Sequence, residues 1–423
     1  MSVPKLRFKE FDGDWSESKL KDCIDSIDSG WSPQCESYPA DENEWAVLKT
    51  TSVDWDGFKA NFNKKLPSNL EARFEIEVKP NDILVTRAGP TERVGVVAVV
   101  PHNVRSKLMI SDKLIRLKAN NENNPEFLGI SLSSVKCQNQ LQSKTSGLAK
   151  SQTNISQKIL CDVSLMTPAK AEQTKIASFL SNVDEKISQL TQKHQLLSQY
   201  KQGMMQKLFS QQLRFKADDG SEFGEWENKT LSNFIIKHIG GASLKPSDFI
   251  EQSEYEVIPK KAIVPNGYLN LDKDNPTYCS EDFFKANLKN TVDNTYLVTV
   301  LRDLVPSGPS IGYIVKYMEN TQYILAQGVY GFKLKEELNK DFLIHFSNTK
   351  AYRLVMQSIM VGSTQVHIRN QDFFGIEIPV PCLEEQTKIA NFLSSIDQKI
   401  EVAAQQIEQA KTWKKGLLQQ MFV

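Results

Sequence analysis

The sequence lacks the features that would place a protein in a membrane or outside the cell. Its longest apolar run, residues 94–100, has seven residues, far fewer than the roughly 20 that span a bilayer. The first five residues contain no apolar stretch of the kind found in secretory signals. Six cysteines are scattered without a C-x-x-C pair, so neither a zinc site nor a disulfide framework is expected. These absences predict a cytoplasmic protein with no membrane association.

Catalytic motifs are also missing. There is no G-x-x-x-x-G-K-[ST] phosphate loop, so we do not expect this chain to hydrolyse ATP. No H-E-x-x-H motif or metal-spaced Cys/His cluster occurs. Residues 275–278, Asn-Pro-Thr-Tyr, differ at one position from the N-P-P-Y motif of amino-methyltransferases, but no glycine-rich cofactor loop accompanies them. The sequence therefore predicts a chain with no catalytic residues and no metal site.

A net charge is absent as well, because 51 Lys and Arg balance 51 Asp and Glu. Proteins that bind DNA usually carry a basic excess, so the balance at first argues against DNA. The charge is unevenly spread, however: residues 101–160 contain nine basic and three acidic residues. The neutral total is an average that leaves a basic stretch in the first half of the chain.

The sequence contains one unit of about 213 residues written twice. Residues 168–187 and 381–400 are identical at thirteen of twenty positions at a constant offset of 213. Leu-Arg-Phe-Lys at residues 6–9, followed by Trp15, resembles residues 213–216, followed by Trp226. The second of these segments follows the first repeated helix, whereas the first segment would follow residue 423 only if the chain were closed into a circle. This circular order predicts that the two ends of the chain lie close together.

Each repeated segment is predicted to be a long helix, with apolar residues spaced alternately by four and three positions. About 40 residues form a rod of roughly 60 Å. We expect the two helices to pair as an antiparallel coiled coil that separates two globular heads. Lys201 and Lys414 fall at the same seam position, where a charge either fixes the register or simply reaches solvent. The predicted seam comprises Ile176, Leu180, Val183, Ile187, Leu190, Leu197, Met204, Leu208, Ile389, Leu393, Ile396, Ile400, Ile407, Leu417 and Met421.

The segments outside the helices alternate short β-branched runs with turn signals, which predicts two α+β heads. Strands are expected at residues 82–86, 94–100, 113–117, 297–301, 311–315 and 329–334, and helices at 125–140 and 340–359. The loop at 144–154 and its counterpart at 360–369 are rich in residues that bond phosphates and base edges. Read alone, each loop is equally compatible with an ordinary solvated surface.

With these residues laid out, the chain resembles the specificity (S) subunits of type I restriction–modification enzymes. The resemblance rests on the circular two-copy order and on the two helix openings, Glu-Gln-Thr-Lys-Ile-Ala at 172–177 and 385–390. It implies target recognition domains at 1–167 and 211–380 and spacer helices at 168–210 and 381–423. The implied fold is α+β, with two α/β recognition domains, an antiparallel coiled coil and a pseudo-two-fold internal repeat.

The resemblance also implies a function. Each recognition domain would read one half of a split double-stranded DNA target, while the coiled coil would set the gap and dock two methyltransferase (M) subunits. Those partners would use S-adenosylmethionine to methylate adenine, and restriction (R) subunits would add ATP- and Mg-dependent translocation and cleavage. This chain would hold no cofactor itself. It would be the non-catalytic subunit of a system that defends its host against foreign DNA.

Residues that contact DNA cannot be carried over from the family, so we predict them from their chemistry. Arg, Gln and Asn can pair with base edges, and Lys and Ser more often bind phosphates. The predicted contacts are Lys49, Thr51, Arg87, Arg93, Lys144, Lys150, Gln152 and Asn154 in the first head and Lys260, Lys261, Arg302, Ser307, Ser310, Gln365, His367 and Arg369 in the second.

Two other functions remain open at this point. One is a self-contained DNA methyltransferase or nuclease, which the absent cofactor loop disfavours. The other is a coiled-coil adaptor that binds two proteins and does not recognise DNA.

Overall fold

The computed structural model describes residues 4–149 and 152–422. The chain forms two compact units, one of Met1–Thr191 with Gln405–Val423 and one of Gln192–Ala404. No helix in the described part of the chain is long and apolar enough to cross a membrane. The α-helices there are α1 (Pro125–Leu132), α2 (Val135–Gln142), α3 (Gln157–Cys161), α4 (Lys170–Phe209), α5 (Glu281–Ala286), α6 (Lys340–Ser347), α7 (Lys350–Ile359), α8 (Asn370–Phe374) and α9 (Leu383–Met421).

The first unit is built on a four-stranded antiparallel sheet whose two faces pack against separate apolar clusters. In spatial order its strands are Ile24–Ser29, Leu114–Ala119, Ile83–Thr86 and Val97–Val99. Smaller sheets join Leu108–Met109, Ala46–Leu48 and Asn63–Lys65; Ser146–Ala149, Gln152–Asn154 and Ala88–Gly89; Ser16–Lys19 and Ser164–Thr167; and Val53–Asp54 and Gly57–Phe58.

The second unit repeats this plan. Its four-stranded antiparallel sheet has the order Ile235–Gly240, Val329–Leu334, Leu297–Val300 and Ile314–Val315. Smaller sheets join Val257–Ile258, Tyr323–Leu325 and Thr291–Val292; Glu227–Thr230 and Glu377–Val380; Arg302–Asp303 and Val366–His367; and Phe249–Ile250 and Tyr278–Cys279. All six predicted strand segments supply strands to the two four-stranded sheets, so the predicted α+β class is confirmed.

The two predicted head helices are wrong in one respect, because each is broken into two short helices. In the first head α1 ends at Leu132, and α2 starts after Ser134, whose hydroxyl accepts a hydrogen bond from Cys137 N. In the second head α7 starts after Thr349, which caps Tyr352 N in the same way. A side chain that caps a new helix favours extended backbone at its own position, and this interrupts the helix.

Each of the long helices α4 and α9 is divided between the two units, so that each unit contains about half of each helix. In the first unit Leu180 of α4 and Leu417 of α9 share the apolar core, and Lys414 Nζ lies 2.6 Å from Asp184 Oδ1. In the second unit Lys201 Nζ lies 2.6 Å from Asp397 Oδ1. The first half of one helix thus packs with the second half of the other, as antiparallel helices do. Both seam lysines make an ion pair across the helices.

A buried glutamate joins the start of α4 to the segment before the first strand. The Glu172 side chain is 2 % exposed, and its carboxylate accepts hydrogen bonds from Arg7 Nε and Nη2, both at 2.7 Å. Trp15 Nε1 donates to the same carboxylate at 3.3 Å. Arg7 also donates to the carbonyl of Gly13 at 2.6 Å. We call this arrangement the Arg–Glu–Trp clasp.

The second unit contains the same clasp at the start of α9. The fully buried Glu385 carboxylate accepts from Arg214 Nε at 3.0 Å and Nη2 at 2.7 Å, and from Trp226 Nε1 at 3.1 Å. The hydrogen bond to Glu385 raises the pKa of Arg214. The repeated Arg, Trp and Glu of the sequence are therefore one interaction formed twice.

The circular order of the sequence is visible in two equivalent backbone hydrogen bonds. Leu213 N donates to Lys207 O at 3.1 Å within one continuous stretch of chain. The counterpart in the first unit runs from Leu6 N to Gln420 O at 2.9 Å. The prediction that the two ends of the chain lie close together is confirmed at these residues.

We expect the clasp to be a main source of stability in the second unit. Glu385→Gln keeps the shape of the side chain but leaves the Arg214 guanidinium without its carboxylate, and breaking a buried ion pair in this way costs about 3 kcal/mol. The free energy of unfolding, measured by urea denaturation, should fall by that amount. Glu384→Gln, at the adjacent and more exposed position, should change it by less than about 0.5 kcal/mol. Equal stability of the two variants would contradict the role given to the clasp.

A second test uses a buried histidine on α6. His345 is 5 % exposed, and its Nε2 lies 3.1 Å from Ser394 Oγ. Burial, together with the charge of the nearby Lys201, lowers the pKa of His345 to about 3. The corresponding position in the first unit is Ile130.

Because the unfolded chain protonates this histidine near pH 6.5 while the folded chain keeps it neutral, the free energy of unfolding should fall as the pH drops below about 6.5. Between pH 7.5 and 5 the wild type should lose about 2 kcal/mol more than His345→Ile. Urea denaturation at both pH values measures the difference. His238→Asn, which changes an exposed histidine of the same unit, should retain the wild-type dependence. Parallel behaviour of wild type and His345→Ile would refute the assignment.

Candidate DNA interface

In the second unit, several predicted DNA contacts meet on a short pair of strands. Arg302–Asp303 pairs antiparallel with Val366–His367, which places Arg302 directly opposite His367. Val361 forms two backbone hydrogen bonds, both 2.9 Å, with the other edge of His367. The Arg302 side chain is exposed and that of His367 is half-buried. A cation and an imidazole therefore occupy neighbouring positions on this sheet.

Lys260 lies against the same strand pair. A Cβ atom added at Gly328 would be 2.7 Å from Lys260 Cε and 3.2 Å from Arg302 Cβ, so both side chains pack over this glycine. Burial lowers the pKa of Lys260, and the charge of Arg302 lowers it further. Two cations held this close favour an anion nearby, and DNA phosphates provide one.

The other predicted residues of the second head differ in how available they are. Ser307 and Gln365 have exposed side chains. The hydroxyl of Ser310 donates to Asp303 Oδ2 at 2.7 Å, so Ser310 anchors a loop. Lys261 Nζ lies 3.6 Å from Asp272 Oδ2, and Arg369 Nε lies 3.2 Å from Asp372 Oδ2. These two surface ion pairs are weak, and DNA phosphates can replace them.

The first head has an equivalent strand pair with different side chains. Gln152–Asn154 pairs with Ala88–Gly89, which places Asn154 opposite Ala88. The Ile155 N–H donates to Arg87 O at 3.0 Å, as the Ile368 N–H donates to Leu301 O at 2.9 Å in the second head. The Arg87 and Lys144 side chains are exposed. Lys150 lies outside the described residues, and the side chain of Gln152 is not described.

Three further predicted residues of the first head, Arg93, Lys49 and Thr51, lie in or against the turn before Val53. Arg93 Nη1 donates to Asp54 Oδ1 at 2.8 Å, and its Nη2 donates to Val53 O at 2.8 Å. The hydrogen bonds from Lys59 and Arg93 lower the pKa of Asp54 to about 2. Lys49 and Thr51 belong to the turn just before Val53. Arg93 thus has a structural role here, and Thr51 is the exposed member of this group.

The predicted seam residues all lie on α4 and α9, and each is buried or half-buried. Sequence reasoning did not assign the partners of the seam lysines, Asp184 and Asp397, although both occur at equivalent positions in the two copies. It also did not connect the repeated Arg and Trp with the repeated Glu at the start of each long helix. Identity between copies was the available signal in both cases. Among the described residues, no group of three or more His, Cys, Asp or Glu could hold a metal ion.

Comparison with known proteins places the chain in a family. The model of the type I restriction modification DNA specificity domain matches it twice, at residues 13–199 and 224–412. The MjaVIII specificity subunit of Methanocaldococcus jannaschii is 27 % identical over 424 residues, which cover 97 % of this chain and 94 % of that protein. The EcoEI specificity subunit of Escherichia coli is 37 % identical over 187 residues, covering 44 % of this chain and 31 % of that protein.

Solved structures share the fold. A type I S subunit from M. genitalium superposes with a TM-score of 0.62 at 16 % identity, over 100 % of this chain and 99 % of the other. A chain from a study of complex assembly in the type I R–M system gives 0.53 at 15 % identity, over 96 % of both chains. Since the two domain matches together cover most of the sequence, the chain belongs to the type I restriction–modification DNA specificity family and carries two copies of its domain.

Proposed function

We propose that this chain is the DNA sequence-specificity subunit of a type I restriction–modification complex. The observation that carries the proposal is one scaffold built twice, with different polar side chains at matching loop positions. In this role the chain is not an enzyme. It selects the sequence on which partner subunits act, and it works in the cytoplasm, where the host chromosome lies.

Each head reads one half of a bipartite target, with the heads at residues 1–167 and 211–380. At the matching strand pair the first head offers Asn154, and the second offers His367 and Arg302. An asparagine suits adenine, whereas arginine suits guanine. Two heads on one scaffold can therefore read different half-sites. Predicted contacts with exposed side chains, such as Arg87, Lys144 and Ser307, hold phosphates and fix the register of each head on the duplex.

The two long helices, at residues 168–210 and 381–423, set the gap and bind two M subunits. The helical part of α4 has 40 residues and that of α9 has 39. Equivalent exposed side chains recur on both, including Lys186 with Lys399 and Gln206 with Gln419. Duplicated surfaces on one chain suit two copies of the same partner. The M subunits supply S-adenosylmethionine-dependent adenine methylation, and R subunits supply ATP- and Mg-dependent translocation and cleavage.

The direct test is to map methylated adenines in the host genome with the gene present and deleted. We expect methylation of a split sequence, two short half-sites around a fixed gap, to disappear with the gene and return when it is restored. A methylation map that does not depend on the gene would contradict the proposal.

The two-reader arrangement is tested by exchanging residues 211–380 for the matching segment of another family member. One half of the methylated sequence should change, while the other half and the gap remain. Since Arg214 and Trp226 of this segment bind Glu385 outside it, the donor segment must keep Arg and Trp at those positions. The reciprocal exchange of residues 1–167 should change only the other half. A change in both halves, or in neither, would show that the heads do not read independently.

A further inference from the structure

The two heads differ in the length of one loop beside the candidate DNA interface. Gly95 N donates to Thr86 O at 2.9 Å, and Gly312 N donates to Val300 O at 2.8 Å, so these two hydrogen bonds close equivalent loops. Eight residues lie between Thr86 and Gly95, but eleven lie between Val300 and Gly312. The second head therefore has three additional residues at a place where its sequence must differ if it reads a different half-site.

The longer loop has a fixed shape. Asp303 Oδ1 accepts from Val305 N at 3.1 Å, and Oδ2 accepts from the Ser310 hydroxyl at 2.7 Å. Gly308 has a φ of +52°, and a Cβ atom there would lie 2.4 Å from Met360 Sδ, so the second half of the loop packs closely on the segment before Val361. Arg353 of α7 supports the end of the loop: its guanidinium donates to Ile311 O, and its Cζ lies 4.0 Å from the centre of the Tyr313 ring.

This fixed loop presents two apolar side chains to solvent. Leu304 is 63 % exposed and Val305 is 48 % exposed. They directly follow Arg302 and Asp303, the strand that pairs with Val366–His367. The Asp303 carboxylate is occupied inside the loop, whereas the positive charges of Arg302 and Lys260 lie at its base. An apolar tip on a cationic base fits a DNA groove, because a duplex presents phosphates at the rim and base edges inside.

We propose that Leu304 and Val305 contact the C5 methyl group of a thymine in the half-site read by the second head. This inference rests on the DNA-reading function proposed above. The thymine methyl is the apolar group that base pairs expose in the major groove. Binding it requires accurate placement, which the hydrogen bonds of Asp303 provide. The neighbouring Arg302 binds the adjacent phosphate or base edge.

The experiment uses the complex of this chain with its M subunits and a duplex carrying the target found by methylation mapping. Each thymine of the second half-site is replaced in turn by deoxyuridine, which removes only the methyl group. For the wild type, one replacement should weaken binding about fourfold, the effect of one buried methyl group. For the double variant Leu304→Ala, Val305→Ala, the same replacement should have no effect. Leu288→Ala, at another exposed apolar position of this unit, should keep the fourfold ratio.

Other outcomes overturn the inference. If no replacement weakens wild-type binding, or if the double variant remains equally sensitive, the loop does not read a methyl group. If the double variant fails to assemble with M subunits, the loop is a protein contact. Failure of the proposed function has a different signature, since the wild-type complex would then show no preference for the mapped target over unrelated DNA.

Discussion

The Arg–Glu–Trp clasp, in which a buried glutamate accepts hydrogen bonds from an arginine and a tryptophan, is the interaction on which the architecture depends. Glu172 and Glu385 lie at the starts of the two long helices, and each is bound by residues that precede the first strand of a head. Each carboxylate also lies near the positive end of a helix dipole, which favours a negative charge. The clasp therefore fixes three things together: the start of the helix, the entry of the chain into the head and the closing strand pair, such as Ser16–Lys19 with Ser164–Thr167.

The glutamine after each glutamate extends this arrangement to the rest of the head. Gln173 donates to Pro168 O at 2.9 Å and accepts from Asn124 N at 2.9 Å. Asn124 in turn caps α1. Gln386 and Asn339 repeat the same contacts in the second unit. The Glu-Gln pair of the sequence motif thus connects the long helix to the head, while the variable loops lie elsewhere. This division explains how two heads can diverge at their reading loops without losing their attachment.

Much of this organisation could be predicted from the sequence, because it depends on patterns that repeat. The two long helices follow from apolar spacing, the sheet strands from β-branched runs, and the proximity of residues 6 and 420 from the circular order of the copies. The breaks after α1 and α6 were missed because a capping serine or threonine changes the local preference without altering the apolar pattern. The structural role of Arg93 could not be predicted either, because its hydrogen bond to Asp54 joins residues that are 39 positions apart in the sequence. Nor does any spacing rule reveal an apolar pair such as Leu304 and Val305, which becomes notable only when it is found exposed.

The division of the long helices between the units has a consequence for folding during synthesis. The second unit is one continuous stretch, Gln192–Ala404, and all its residues have been made before residues 405–423 are added. The core of the first unit includes Leu417 and Met421, which belong to that later segment. Domains generally fold as units, in the order in which their residues become available. In this chain, the head that the ribosome makes first is the one whose core is completed last.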